Sequence, residues 1–347
     1  MNLTPVSTRE EAVHGAVPLR RLTPHSPSKV LSHGEEWAQD QHGARDVWVF
    51  ESGGKFFMHY DAAGDVGWLC ALATSGDGVT WTKSGPVLEL GPEGAMDSAS
   101  ASYGTTFFDG ERWHMFYLGT SNVTPDSLKT PSFPYVTMKA TADAPTGPWG
   151  KQAEVVPIRT VEGTWYSHTA SPGQVVRVDD EYLMYFSAAT VADDGQILRT
   201  LGIARTRDLD TEWTVDPEPL LPLTEQIENS SIYVEPSTGM WFLFTNHIHN
   251  APDAQPVPPQ NSTEYTDSIL VYWADSPHSF RADQKAVVID AASSGWSPMV
   301  VGLPSVVPIG GRLAVYFDGC DLPENGHGNR DVGVAWLELP LQVPTAM

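Results

Sequence analysis

The sequence predicts an all-β fold, a five-bladed β-propeller of four-stranded antiparallel blades around a central channel. Three observations predict it. One unit recurs five times along residues 41–347. Its segments are short, apolar or alternating, and bounded by Gly, Asp and Pro, which is strand chemistry. No stretch of 12 residues keeps a clean helical period.

The unit reads as an extended apolar run, a tight polar turn, a strand rich in Met and aromatics, a loop, and a third strand closed by an aromatic. The first copy runs Asp46-Val-Trp-Val-Phe, turn Glu51-Ser-Gly-Gly-Lys, then Phe56-Phe-Met-His-Tyr60, with Trp81 closing. The second has Tyr103 to Phe108, turn Asp109-Gly-Glu-Arg, strand Trp113 to Tyr117, then Trp149. The third has Gly173 to Val178, turn Asp179-Asp-Glu, strand Tyr182 to Phe186, then Trp213. Ser231-Ile-Tyr-Val, Trp241 to Phe244 and Phe280 form the fourth. Pro304 to Ile309, Gly310-Gly311, Leu313 to Tyr316 and Val332 to Trp336 form the fifth. The closing aromatics at 81, 149, 213 and 280 stand 68, 64 and 67 residues apart. A sandwich or an open solenoid also uses short strands, but units of this size that cannot close alone and repeat five times favour a ring. Residues 1–40 are expected to supply the outer strand that closes it, and 41–347 a single propeller domain.

Composition excludes several function classes. With 43 Asp+Glu against 20 Lys+Arg the net charge is −23, which repels phosphate backbones and anionic lipid, so neither nucleic acid nor a membrane is an expected partner. Two cysteines, Cys70 and Cys320, make no disulfide framework or Cys-rich metal site. Residues 1–21 lack an apolar run of signal-peptide length and no 18-residue apolar stretch occurs, so the expected location is the cytoplasm. No His or Cys spacing argues for zinc, and no residue pattern supports a calcium ion in the channel, so no cofactor is expected. Nothing in the sequence specifies the oligomeric state.

Chain direction selects the functional face. The tight turns lie at one end of the channel. The starts of the inner strands share the other end with the long loops Gly119–Pro134, Ala188–Arg199, His247–Asp267 and Gly319–Asn329, where binding residues tend to sit. Counting back from the second-strand aromatics puts Asp46 (14 before Tyr60) and Glu228 (16 before Phe244) at the start of their inner strands. A carboxylate there is costly to bury unless it works, is paired, or binds a cation. Two carboxylates facing across a channel are the minimum for glycoside hydrolysis. An Arg45–Asp46 ion pair, or Glu228 bonded to loop amides, would explain either residue without catalysis.

These residues carry a resemblance. The blade motifs over residues 40–340 are similar to those of the five-bladed propeller glycoside hydrolases, the superfamily of arabinanases, arabinofuranosidases, xylosidases and fructosidases (families 43 and 32 and relatives). The resemblance implies Asp46 as general base or nucleophile and Glu228, in Glu228-Asn-Ser-Ser-Ile-Tyr-Val, as general acid on an oligosaccharide or glycoside of plant or microbial origin. A third carboxylate should open the intervening blade, where this chain has Ser171 in His168-Thr-Ala-Ser-Pro-Gly. Asp97, 20 residues before Tyr117, is the substitute candidate.

Further binding candidates ring the same mouth. They are His168, Ser171 and Asn229, His247 at the head of the fourth long loop, and Arg330 closing the fifth blade. Trp48 and Trp165 are candidate platforms for a sugar ring, with Trp296 a further one, although most tryptophans of a propeller pack between its sheets. The missing acid leaves a carbohydrate-binding propeller without turnover as an alternative. A glycoside phosphorylase is another, and would draw on Arg45, Arg199 and Arg330.

Overall fold

The computed structural model describes residues 20–35, 38–193, 195–250, 264–322 and 326–344. Among the described residues strand β1 (His25–Leu31) comes first and pairs with the last strand. The repeats between fold as antiparallel meanders. The first comprises β2 (Gly43–Ser52), β3 (Lys55–Gly64), β4 (Gly67–Ser75) and β5 (Trp81–Pro86); the next β6 (Ser100–Phe108), β7 (Trp113–Thr120), β8 (Val136–Ala142) and β9 (Gly150–Lys151). The third unit follows with β10 (Thr169–Ser171), β11 (Val175–Val178), β12 (Glu181–Val191), β13 (Ile197–Thr206) and β14 (Thr214–Val215). Then come β15 (Ile227–Val234), β16 (Trp241–Asn250), β17 (Glu264–Ala274) and β18 (Lys285–Asp290), and finally β19 (Val301–Ile309), β20 (Arg312–Gly319) and β21 (Asp331–Glu338). Among the described residues the sole helical element is a 3-10 turn, Leu223–Glu225.

Two features depart from a plain series of four-stranded sheets. Trp68 and Leu69 of β4 pair in parallel with Ser100 and Ala101 of β6, which joins two meanders into one eight-stranded sheet. In the third unit Pro172-Gly173 splits the inner strand into β10 and β11, since proline offers no ladder donor.

The hairpins at one end use glycine where it is required. Gly53-Gly54 and Gly310-Gly311 form two-residue loops with positive φ throughout, the geometry that matches strand twist. The core lies between meanders, and its packing is cyclic. Met115 and Tyr117 pack with Leu69 and Cys70, and Phe116 with Met184 and Phe186. Leu201 packs with Leu243, Phe244 with Phe317, and Tyr316 with Met58 and Tyr60 of the first meander. Each such aromatic, fully buried, contributes about 1.5–3 kcal/mol.

A β-bulge recurs near the start of the inner strands, between Arg45 and Trp48, Ala101 and Gly104, Glu228 and Ser231, and Gly302 and Ser305. It corrects the sequence register by one place. His59, not Tyr60, occupies the position of Phe244, so Glu228 is the counterpart of Arg45 and Asn229 that of Asp46. Asp46 and Asn229 both adopt left-handed φ, 50° and 61°, a conformation Asp and Asn tolerate better than most residues. The bulge therefore asks for these residue types before any chemistry does.

Candidate active site

The inner strands and the ends of the second strands line a pocket open to solvent at the mouth. Asp46, Asp61 and Glu228 line it, with Arg45, Arg199 and Arg330, and with Ser171, Asn229, Trp68, Tyr103 and Tyr135. In this acidic chain, three arginines and three carboxylates meet at one place.

The second strands supply a ring of polar residues beneath the mouth. Opposite Arg45, Ser171, Glu228 and Gly302 stand Asp61, Ser187, Asn246 and Asp318. Three of them bond a backbone amide of the following meander. Asp318 Oδ2 accepts the Asp46 amide at 2.9 Å, Asp61 Oδ1 accepts the Tyr103 amide, and Ser187 Oγ accepts the Asn229 amide at 2.8 Å. Tyr103 donates its hydroxyl to Asn229 Oδ1 at 2.9 Å, and Asn229 Nδ2 donates to Asn246 at 2.9 Å.

Each arginine holds a carboxylate. Arg45 Nε and Nη2 fork Asp46 at 3.0 and 3.3 Å, its Nη1 reaches His327 Nδ1 at 3.0 Å, and its guanidinium lies 5.0 Å from the Trp68 ring centre. Arg199 Nη1 donates to Glu228 Oε2 at 2.9 Å. Arg330 Nη1 donates to Asp318 at 2.6 Å and to Thr266 Oγ1 at 3.2 Å, and its other nitrogens reach the Gly326 carbonyl.

Burial raises the Asp46 carboxyl above its ordinary range against the pull of Arg45, helped by the charges of Asp318 and Glu228. Burial and the charge of Asp46 push Asp61 well above the usual carboxylate range. The same burial raises the Tyr103 phenol and lowers the Arg330 guanidinium. The site can thus hold a carboxyl proton and a carboxylate charge side by side, which acid–base chemistry needs.

Of the residues expected from sequence, Asp46, Glu228, Ser171, Asn229, Arg45, Arg199 and Arg330 meet in this pocket. The others lie outside its wall. Asp97 accepts the Tyr117 hydroxyl at 2.8 Å and Lys151 Nζ at 2.6 Å. The same latch recurs as Asp40 with Tyr60 and Lys83, and as Glu225 with Tyr272 and Lys285. In each, a carboxylate ahead of an inner strand ties down a lysine of its meander's outermost strand. Trp165 Nε1 donates to the Pro217 carbonyl and its ring covers Gly202, where a Cβ would meet Trp165 at 2.1 Å. Trp296 packs likewise over Gly333. Trp48 is buried below the pocket and donates to Thr106 Oγ1. His247 is bound to Asp267 at 2.8 Å, and His168 lines a separate depression beside Phe133 and Glu162. Of the long loop His247–Asp267, residues 251–263 lie outside the described residues, as do 323–325 of Gly319–Asn329.

Sequence reasoning missed Asp61, Asp318 and Trp68. The first two had a readable mark: each follows the second-strand core by two residues, in His59-Tyr-Asp61 and Tyr316-Phe-Asp318.

No family model and no curated protein matches the sequence. Solved structures do. BT0996, in its complex with RGII, superposes with a TM-score of 0.66 at 15% identity, over 99% of this chain and all of that one. Zg3597, a family 117 glycoside hydrolase of Zobellia galactanivorans, gives 0.60 at 14%, over 92% and 93%. A GH43 enzyme from Xanthomonas citri complexed with xylotriose gives 0.61 at 12%, over 92% and 93%. The chain has the β-propeller fold of these glycoside hydrolases. Its pocket lies on the propeller's mouth, where the inner strands begin.

Proposed function

We propose that the protein is a glycoside hydrolase, a five-bladed propeller of four-stranded blades closed by β1, which cleaves an oligosaccharide or glycoside of plant or microbial origin in its central pocket. One observation carries this reading. Asp46 and Glu228, from separate inner strands, line a single pocket together with a third carboxylate, Asp61. Hydrolysis of a glycosidic bond needs one carboxyl group to protonate the leaving oxygen and another to act as base or nucleophile. The fold shared with glycoside hydrolases, one of them complexed with xylotriose, supports a carbohydrate as the ligand.

The test is a panel of aryl glycosides and oligosaccharides. On any substrate the wild type cleaves, Asp46→Asn and Glu228→Gln should each lower kcat by about 10⁴-fold with the fold intact. Activity retained in both variants removes the reading.

A second reading has its own observation. Asp46 and Glu228 are each held by a buried guanidinium, which a site that only binds sugar would also show. Binding without product over a long incubation would select it. Phosphorolysis is less well served, because phosphate would have to compete for arginines already joined to Asp46, Glu228 and Asp318.

A further inference from the structure

The 15 residues between β7 and β8, 121–135, fold into a compact strap. Val123 and Pro131 pair across it, the Thr124 amide donates to the Thr130 carbonyl at 2.8 Å, and Asn122 Nδ2 donates to the Phe133 carbonyl at 2.9 Å. Asp126 accepts the Leu128 and Lys129 amides and the Thr124 hydroxyl. A loop whose ends lie close and whose own side chains hold it is a fixed surface element, and frequently a functional one. Its tip reaches two other meanders. Trp68 Nε1 of the first donates to the Leu128 carbonyl at 2.8 Å, and Lys129 Nζ donates to the Asp65 carbonyl. A Cβ on Gly328 of the last meander would stand 3.7 Å from Leu128 Cδ1, so the tip also meets the loop between β20 and β21. Thr130, Pro131 and Tyr135 of the strap line the pocket beside Trp68 and His327. From the second meander through the first to the last, the wall is therefore continuous.

The floor is closed as well. Tyr103 and Asn229, joined by their 2.9 Å bond, line both the pocket and a small space beneath it. Buried side chains also bond the inner strands to one another, as Ser231 accepts the Val306 amide at 3.0 Å and Ser305 the Val49 amide at 2.8 Å. No sugar can pass down a channel filled in this way. A glycan bound by an inner residue must leave the site in two directions, and a closed floor with a continuous wall on one side denies it the second. We infer that the strap makes this a pocket for chain ends: the protein removes sugars from one end of a glycan and does not cut within it. The inference deepens the glycosidase reading and rests on it. Each turnover breaks the terminal glycosidic C–O bond, places the hydroxyl of water on the anomeric carbon and puts its proton on the leaving oxygen. The strap selects by exclusion, denying room to the wrong binding mode.

The test uses a hexasaccharide of the sugar cleaved in the panel, labelled at its reducing end, and the corresponding polysaccharide cross-linked to a dye that only internal cuts release. The wild type should shorten the hexasaccharide one sugar at a time and leave the dye bound. Early products of every length, or dye released as fast as sugar, overturn the inference. Replacing residues 124–130 by Gly-Gly removes the tip of the strap, and the paired Val123 and Pro131 are close enough for two residues to join. The ratio of internal to terminal cuts should then rise at least about tenfold. Asp126→Ala removes three bonds within the strap and no residue of the pocket. It should raise the same ratio about two- to fivefold. Where the shortened chain folds, an unchanged ratio overturns the role of the strap; where it does not, an unchanged ratio in Asp126→Ala does. A wild type that cleaves nothing in the panel overturns the glycosidase reading instead. Selection of chain ends is then read by calorimetry with the oligosaccharides of the panel. Methylating the hydroxyls of their terminal sugars should weaken binding at least about tenfold, and equal affinity for both forms, or no binding, overturns it.

Discussion

The latches at the rim and the pocket at the mouth are both built from buried carboxylates, and the contrast between them separates structure from chemistry. At a latch one carboxylate meets one tyrosine and one lysine: Asp97 is bound by Tyr117 and Lys151, Asp40 by Tyr60 and Lys83. At the mouth, Asp46, Asp61, Glu228 and Asp318 act on one another as well as on three arginines. Burial is common to both regions. Among the described residues, crowding of like charge beside open space marks the mouth and not the latches, and such crowding is what perturbs titration at functional sites.

The largest expected effect on stability lies under the mouth. Arg330→Met leaves the fully buried Asp318 without its guanidinium, and should cost about 3–5 kcal/mol of unfolding free energy by urea denaturation. A smaller loss would mean that the Arg330–Asp318 pair contributes little to holding the fold together.

His59 sharpens the comparison from a different side, since neither ring nitrogen has a partner. It is buried between Phe50 and Trp149, and burial pushes its imidazole from 6.5 down to about 3. The folded chain keeps it neutral while the unfolded chain binds a proton below pH 6.5. Its contribution to stability is therefore complete above 6.5 and is lost as pH falls towards 3, with a slope of up to about 1.4 kcal/mol per pH unit. Subtracting the pH–stability curve of His59→Leu from that of the wild type should give this slope; a flat difference would refute it.

The smallest effect belongs to the latch. Lys151→Met should cost about 1 kcal/mol or less, because that lysine is 23% exposed, and should leave kcat unchanged on any cleaved glycoside. A drop in kcat would bring Asp97 back among the catalytic candidates.

Much of this was legible in the residues. The spacing of Trp81, Trp149 and Trp213 reports the repeat directly, because each unit must bury the same aromatic against its neighbour. Asp46 and Glu228 were readable as starts of inner strands, yet their relation was one place off, since a bulge adds a residue that hydrophobic alternation does not reveal. Asp97 looked like a site residue because sequence shows that a carboxylate lies near a strand start, not that Tyr117 and Lys151 close over it. Trp165 looked like a platform for the same reason, and the glycine that receives it, Gly202, stands 37 positions further on. Asp61 was hidden by belonging to a second strand, whose end meets the channel only after the sheet has twisted.

The bond from Asp318 to the Asp46 amide spans 272 positions of the chain, and it couples the geometry of the pocket to the completion of folding. The first inner strand receives its amide acceptor from the last meander, so no nascent or truncated chain that lacks residue 318 can arrange Asp46 as the finished protein does. Residue 318 must be in place before the Asp46 backbone is held. A pocket built this way is complete only once the last meander has folded.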